Sequence, residues 1–359
     1  MSRTGQASER RLAQGPVVHV GSFGWTQACR SDGDRDGAAK GSSEQMQAHS
    51  QTTIGDRVSL SGVGVHSGTP SSITLHPAEP DTGIIFLKNS DSSVCDIEVP
   101  ASHRWVVATS LSTVLGSDEA GSIATVEHLL ATISGMGIDN VLVEVDGHEV
   151  PIMDGSAEAF VEAIAQVGLR RQPARRRYIR VLEPVRVAMG ESVGELLPFN
   201  GRRFEVEIDF ADTIIGRQAY VFDLDSGDFR RELARARTFG FVDSVEQLWA
   251  NGYALGASLD NTVVIGDGVV INPEGLRFAD EFVRHKALDA IGDLTLAGGP
   301  ILGLYRSYRG GHKLNCAIVE ALLSRDSAWE WVEMPVRREA VQADVEALLP
   351  AAVYGADVA

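Results

Sequence analysis

Residues 1–50 show no regular hydrophobic spacing, whereas from Thr52 onward the chain is patterned. Residues 57–66 (R-V-S-L-S-G-V-G-V-H) and 71–76 (S-S-I-T-L-H) alternate apolar and polar positions, the period-two signature of half-buried strands; 83–87 and 139–145 predict two more. Between them Val126, Leu129, Leu130 and Ile133 recur at i, i+3, i+4 and i+7. That spacing predicts a helix over about 125–135, with Ser122 or Thr125 to cap it and Gly135 to close it. A second helix is predicted over 156–164, capped by Ser156.

Residues 168–178 (G-L-R-R-Q-P-A-R-R-R-Y) interrupt the pattern with Gly, Pro and a run of arginines, which places a boundary there. Strands resume at 178–182, 204–210, 218–222, 261–266 and 302–308, with helices near 228–236, 279–297 and 313–323. Each half therefore reads as several strands plus about two helices, an α+β fold of two similar domains. The expected organisation is a disordered extension over 1–50, a first domain over 51–168, a linker over 169–177, a second domain over 178–332 and a tail over 333–359.

The helix near 279–297 carries the most chemistry. Val283, Ala287, Ala290, Ile291 and Leu294 form its apolar stripe; His285, Asp289 and Asp293 fall on one line roughly opposite, at i, i+4 and i+8. An H-x-x-x-D pair on one helical face can chelate a divalent cation, although such stripes are more often solvated. Phe282 and Leu288 flank this one, which indicates a covered face. Glu127 and His128 are neighbours near the start of the first helix. His128 can supply a third ligand and Glu127 a general base for a water in the fourth position. His312, after Gly310-Gly311 and before a helix, can act as a general acid if a carboxylate keeps it charged, and Asp293 is the candidate. Taken singly, each of these features is more often an ordinary surface group. His66 reads as a turn residue, and His19, His49, His76, His103 and His148 as surface or packing residues.

Composition narrows the picture. The 359 residues carry a formal charge of −17, which argues against a nucleic-acid partner, and the 44% hydrophobic fraction suits an ordinary core. Cys29, Cys95 and Cys316 have no paired spacing, so neither a disulfide framework nor a Cys-ligated zinc is expected, and a reducing cytoplasm is the simplest location. No signal-peptide pattern and no apolar run long enough for a transmembrane segment is read in the chain.

Together T-V-E-H-L-L-A (125–131), R-F-A-D-E-F-V-R-H-K-A-L-D-A-I-G-D-L (277–294) and G-G-H-K-L-N (310–315) resemble the UDP-3-O-acyl-N-acetylglucosamine deacetylase (LpxC) family of Gram-negative bacteria. So do G-V-G-V-H-S-G (62–68), I-D-N-V-L-V-E-V (138–145), V-P-I-M-D-G-S-A (150–157) and A-R-T-F-G-F (236–241). The resemblance spans about residues 52–332 and implies two α+β domains with zinc in the cleft between them. It implies zinc ligands at His128, His285 and Asp289, a general base at Glu127, a general acid at His312 and its supporting carboxylate at Asp293. It further implies an oxyanion donor at Thr238, and substrate contacts at Lys286 (phosphate region), Phe239 (sugar), Phe210 (uracil side) and Leu111 (acyl passage). The implied reaction removes the N-acetyl group of a UDP-linked acylated glucosamine, the committed step of lipid A synthesis, by a cytoplasmic monomer. A His₂Asp set also accommodates ferrous iron. The stretch 104–113 (R-W-V-V-A-T-S-L-S-T) matches the family only loosely. Two other readings share these residues: an amidase for another acylated amino sugar, and a zinc-stabilised binding module.

Overall fold

The computed structural model describes residues 50–88, 97–117, 121–210, 214–225 and 227–333. The expectations for 1–50 and 333–359 thus fall outside the described residues, except at Ser50 and Glu333. The described residues belong to one compact unit of mixed α+β structure. None of the described helices is long and apolar enough to cross a membrane.

Two sheets organise the chain. In the first, the spatial order is Val58–Val63, Pro70–Pro77, Val141–Asp146, Ile84–Lys88, Ile97–Pro100. All its pairings are antiparallel except that between Ile84–Lys88 and Val141–Asp146. Val141, Val143 and Val145 alternate inward and pack with Ile73, Leu75 and Phe86 against Leu129, Leu130 and Ile133 of the helix Glu127–Gly135 and Phe160 and Ile164 of the helix Glu158–Val167. In the second, a seven-stranded sheet, Ile301–Tyr308 is central: it pairs antiparallel with Ser192–Leu197 and parallel with both Arg202–Phe210 and Arg177–Val181. The helices Glu281–Leu294 and His312–Leu323 contribute Val283, Ala287, Ile291, Ile318 and Leu322 to its core. Ala131, on the helix Glu127–Gly135, belongs to this second core and Leu296, just after the helix Glu281–Leu294, to the first, so the two cores meet where these two helices pack together.

That meeting is close. A Cβ at Gly292 would fall on the carbonyl oxygen of Glu127, so only glycine lets the two helices approach at this point. Gly292→Ala is expected to cost about 2 kcal/mol through overpacking against backbone that cannot rotate aside. A thermal unfolding midpoint equal to that of the parent protein would contradict so tight a contact.

Several elements differ from the sequence expectation. Residues 169–177 are mostly strand rather than free linker: Leu169–Arg175 pairs antiparallel with Ser50–Ile54. Its arginines point outward while Gln172 is buried, bonded to Asn140 and Ala78, so a charge run conceals one face of a strand. Thr125 does not cap the first helix; it takes a left-handed φ of 59° and donates its hydroxyl to Glu149 instead. Ser156 does meet the second helix, accepting from the Glu158 N–H at 3.2 Å. The helix expected at 228–236 is a single turn, Phe229–Glu232. The hairpin Val185–Met189/Ser192–Leu197, the helix Val242–Ala250 and the strand Trp329–Glu333, paired with Arg177–Val181, were not anticipated.

Candidate active site

The helix Glu281–Leu294 is buried along nearly its whole length, including its ionisable residues Glu281, His285, Asp289 and Asp293. Buried charge is costly unless paired and hydrogen-bonded, so each group requires partners. Glu281 has Arg237, whose Nε donates at 2.9 Å, and the N–H groups of Arg237 and Arg277 at 3.0 and 2.6 Å. His285 Nδ1 donates to the Ala236 carbonyl at 3.0 Å, which turns Nε2 toward the other side of the ring. Asp293 Oδ1 accepts from the Thr113 hydroxyl at 2.5 Å, and its Oδ2 accepts from His312 Nδ1 at 2.9 Å and Asn315 Nδ2 at 2.8 Å.

Asp289 is the exception. Lys286 Nζ donates to its Oδ2 at 2.7 Å, but its Oδ1 is buried with no hydrogen-bond partner. That oxygen lies 3.4 Å from His285 Nε2 and 3.6 Å from His128 Nε2, too long for hydrogen bonds. The two imidazoles stand nearly perpendicular with centroids 4.9 Å apart. One ligand atom from each of His128, His285 and Asp289 lies within 4.8 Å of the others. An orphaned carboxylate oxygen converging with two imidazole nitrogens is the donor set a zinc or ferrous ion uses. The electrostatics agree: burial depresses the His285 pKa to about 3, so its imidazole is neutral. For Asp289 burial opposes ionisation, but the Lys286 ammonium at its Oδ2 outweighs it and holds the carboxyl well below its usual range.

Beside this triad stand Glu127 and His312, both buried. Glu127 Oε2 accepts from the Thr113 N–H at 3.0 Å, leaving Oε1 3.7 Å from His312 Nε2. Burial raises the Glu127 pKa against the pull of His312. For His312 burial works the other way, yet the carboxylates of Asp293 and Glu127 outweigh it and raise its pKa to about 9. A buried carboxyl group and a charged imidazole thus face one another.

The structure places the remaining candidates as follows. Thr238 sits two residues beyond the carbonyl that anchors His285, its backbone fixed to Gly155 and Val263. Phe239 packs edge-on against Phe282 at 5.0 Å, Phe210 at 5.8 Å and His285 at 6.4 Å between centroids. Lys286 Nζ lies 5.6 Å from the Phe239 ring centre, within cation–π range. Leu111 is 40% exposed, two residues before the buried Thr113. His66 takes a turn and packs edge-on against Tyr253, and His76 pairs with Glu144 at 3.1 Å. His103 is partly buried with Nδ1 unpartnered, and Lys88 Nζ bonds His148 Nδ1. His19 and His49 lie outside the described residues.

Sequence reasoning missed Thr113, Asn315 and Tyr305, whose hydroxyl donates to Asn315 Oδ1 at 2.6 Å. Asn315 was findable, since it follows His312 by three residues on one helix and so shares its face. Nothing local marks Thr113: its bond to Asp293 spans 180 residues.

Three metal-type donors beside a carboxylate and a charged imidazole are the parts of a hydrolytic centre that activates water and protonates a leaving group. The profile of the LpxC family, UDP-3-O-acyl N-acetylglycosamine deacetylase, matches residues 51–324. Proteins named UDP-3-O-acyl-N-acetylglucosamine deacetylase from Brucella ovis, Brucella canis and Brucella abortus are each 55% identical over 285 residues, covering 79% of this chain and 98% of theirs. The chain belongs to the LpxC family of deacetylases.

Proposed function

We propose that this protein hydrolyses the N-acetyl group of UDP-3-O-acyl-N-acetylglucosamine to acetate and UDP-3-O-acyl-glucosamine, the committed step of lipid A synthesis, as a zinc-dependent monomer in the cytoplasm. The observation that carries the metal is the orphaned Asp289 Oδ1 converging with two imidazole nitrogens. The names of the relatives carry the substrate.

His128, His285 and Asp289 hold the zinc. Bound there, it supplies Lewis acidity, lowering the pKa of water toward about 7 and polarising a carbonyl. The protein's own groups do the rest. Glu127 Oε1 takes the proton of the water whose oxygen bonds to the acetamide carbon. The Thr238 hydroxyl donates to the oxyanion that develops, a contact of a kind worth about 3–4 kcal/mol in the transition state. His312 holds its Nδ1 proton on Asp293 and gives the one on Nε2 to the amine nitrogen as the C–N bond breaks. Phe239 supports the sugar, Phe210 the uracil side and Leu111 the acyl chain.

Lys286 has two tasks in this reading. It fixes Asp289 Oδ2, which directs Oδ1 to the metal, and it offers its charge to the diphosphate. Lys286→Ala is therefore expected to raise KM about tenfold or more with a smaller fall in kcat. Steady-state kinetics on zinc-loaded protein check this; a fall in kcat at constant KM would confine Lys286 to supporting the metal ligand.

A further inference from the structure

We propose that Thr113 is a positioning residue that ties the base to the carboxylate behind the acid, setting the two in register. The inference rests on the roles of Glu127 and His312 in the reading above. Thr113 is fully buried, in the irregular segment just before the strand Val114–Ser117. It makes two bonds to two different parts of the machinery. Its N–H donates to Glu127 Oε2 at 3.0 Å, and its hydroxyl donates to Asp293 Oδ1 at 2.5 Å. Glu127 begins one helix and Asp293 lies in the last turn of another, so one residue references both.

The two bonds have separable consequences. The N–H occupies Oε2 and leaves Oε1, on the His312 side, for the attacking water. The hydroxyl completes the set of donors around Asp293. His312 and Asn315 occupy Oδ2, and without Thr113 Oδ1 would be a second buried, unpartnered carboxylate oxygen. An Asp293 carboxylate free to rotate would no longer hold the imidazole with Nε2 toward the leaving nitrogen. Thr113 touches neither water nor substrate in this account and acts through the two groups it holds.

Thr113→Val removes the hydroxyl and keeps the shape and the N–H, so it breaks the Asp293 bond, with the hydroxyl's contact to the Cys316 thiol, and spares the bond to Glu127. Acetate release from UDP-3-O-acyl-N-acetylglucosamine is measured on zinc-loaded full chain for Thr113→Val and Thr113→Ser, each alone and combined with His312→Ala, with zinc content and thermal midpoint recorded. The expected result is a fall in kcat of about 10–100-fold for Thr113→Val, from loss of one charge-assisted bond. KM and zinc content stay within about twofold of the parent, and Thr113→Ser recovers most of the rate because its hydroxyl restores the bond. In the His312→Ala background Thr113→Val changes kcat by less than about twofold, since its effect passes through the missing imidazole. Equal losses in both backgrounds, or no loss in either, overturn the proposal while leaving the reaction intact. If Thr113→Val does not fold, Thr113→Ala carries the same expectations. A His312→Ala protein with the parent's rate instead overturns the role of His312, and this inference with it.

Discussion

Glu127→Ala is expected to keep its zinc and lose turnover by about 10³-fold or more, toward the upper part of the range for general acid–base groups. None of the three converging donors is removed by this change, so the metal stays. What goes is the carboxylate that faces His312 Nε2 at 3.7 Å and that is held by the Thr113 N–H. Burial makes it a stronger base than an ordinary glutamate, since it raises the carboxyl pKa toward the working pH. Single-turnover acetate release with zinc measured on the same sample separates the two effects. Parent-like turnover would remove Glu127 from the role of base.

His285→Ala is expected to fail differently, by losing the metal. Its Nδ1 is spent on the Ala236 carbonyl, and burial keeps the ring neutral, so Nε2 presents a lone pair next to Asp289 Oδ1. Loss of an outer partner of a metal ligand typically costs about 10–100-fold in affinity, and loss of a ligand should cost more. Zinc per chain after dialysis against a weak chelator should therefore drop to near zero, with activity falling in step. A variant that retains one zinc per chain would contradict the assignment of His285.

Much of this was legible in the sequence because it was local. The stripe His285, Asp289, Asp293 was readable from helical periodicity, and the apolar flanks Phe282 and Leu288 correctly indicated that the polar side is covered; both are buried. The α+β class followed from alternating strand patterns and a few helical stripes. What escaped depends on partners distant in the chain. Residues 169–175 look like a solvated basic run until Ser50–Ile54 is placed beside them. Trp329–Glu333 (W-E-W-V-E) is too short for its alternation to stand out, and is a strand because Arg177–Val181 offers an edge. Thr113 is one hydroxyl in a weakly patterned segment, and only the approach of the Glu281–Leu294 helix gives it Asp293 as a partner. Gly292 lies beside the stripe, and the group its missing side chain makes room for, the carbonyl of Glu127, belongs to another helix far off in the chain.

The most direct measurement is acetate release from UDP-3-O-acyl-N-acetylglucosamine by the purified protein, taken before chelation, after it, and after stoichiometric zinc is returned. The account predicts release that a chelator abolishes and zinc restores. A folded, zinc-loaded sample that releases no acetate would contradict the substrate, and release that persists in a metal-free sample would contradict the metal centre at His128, His285 and Asp289.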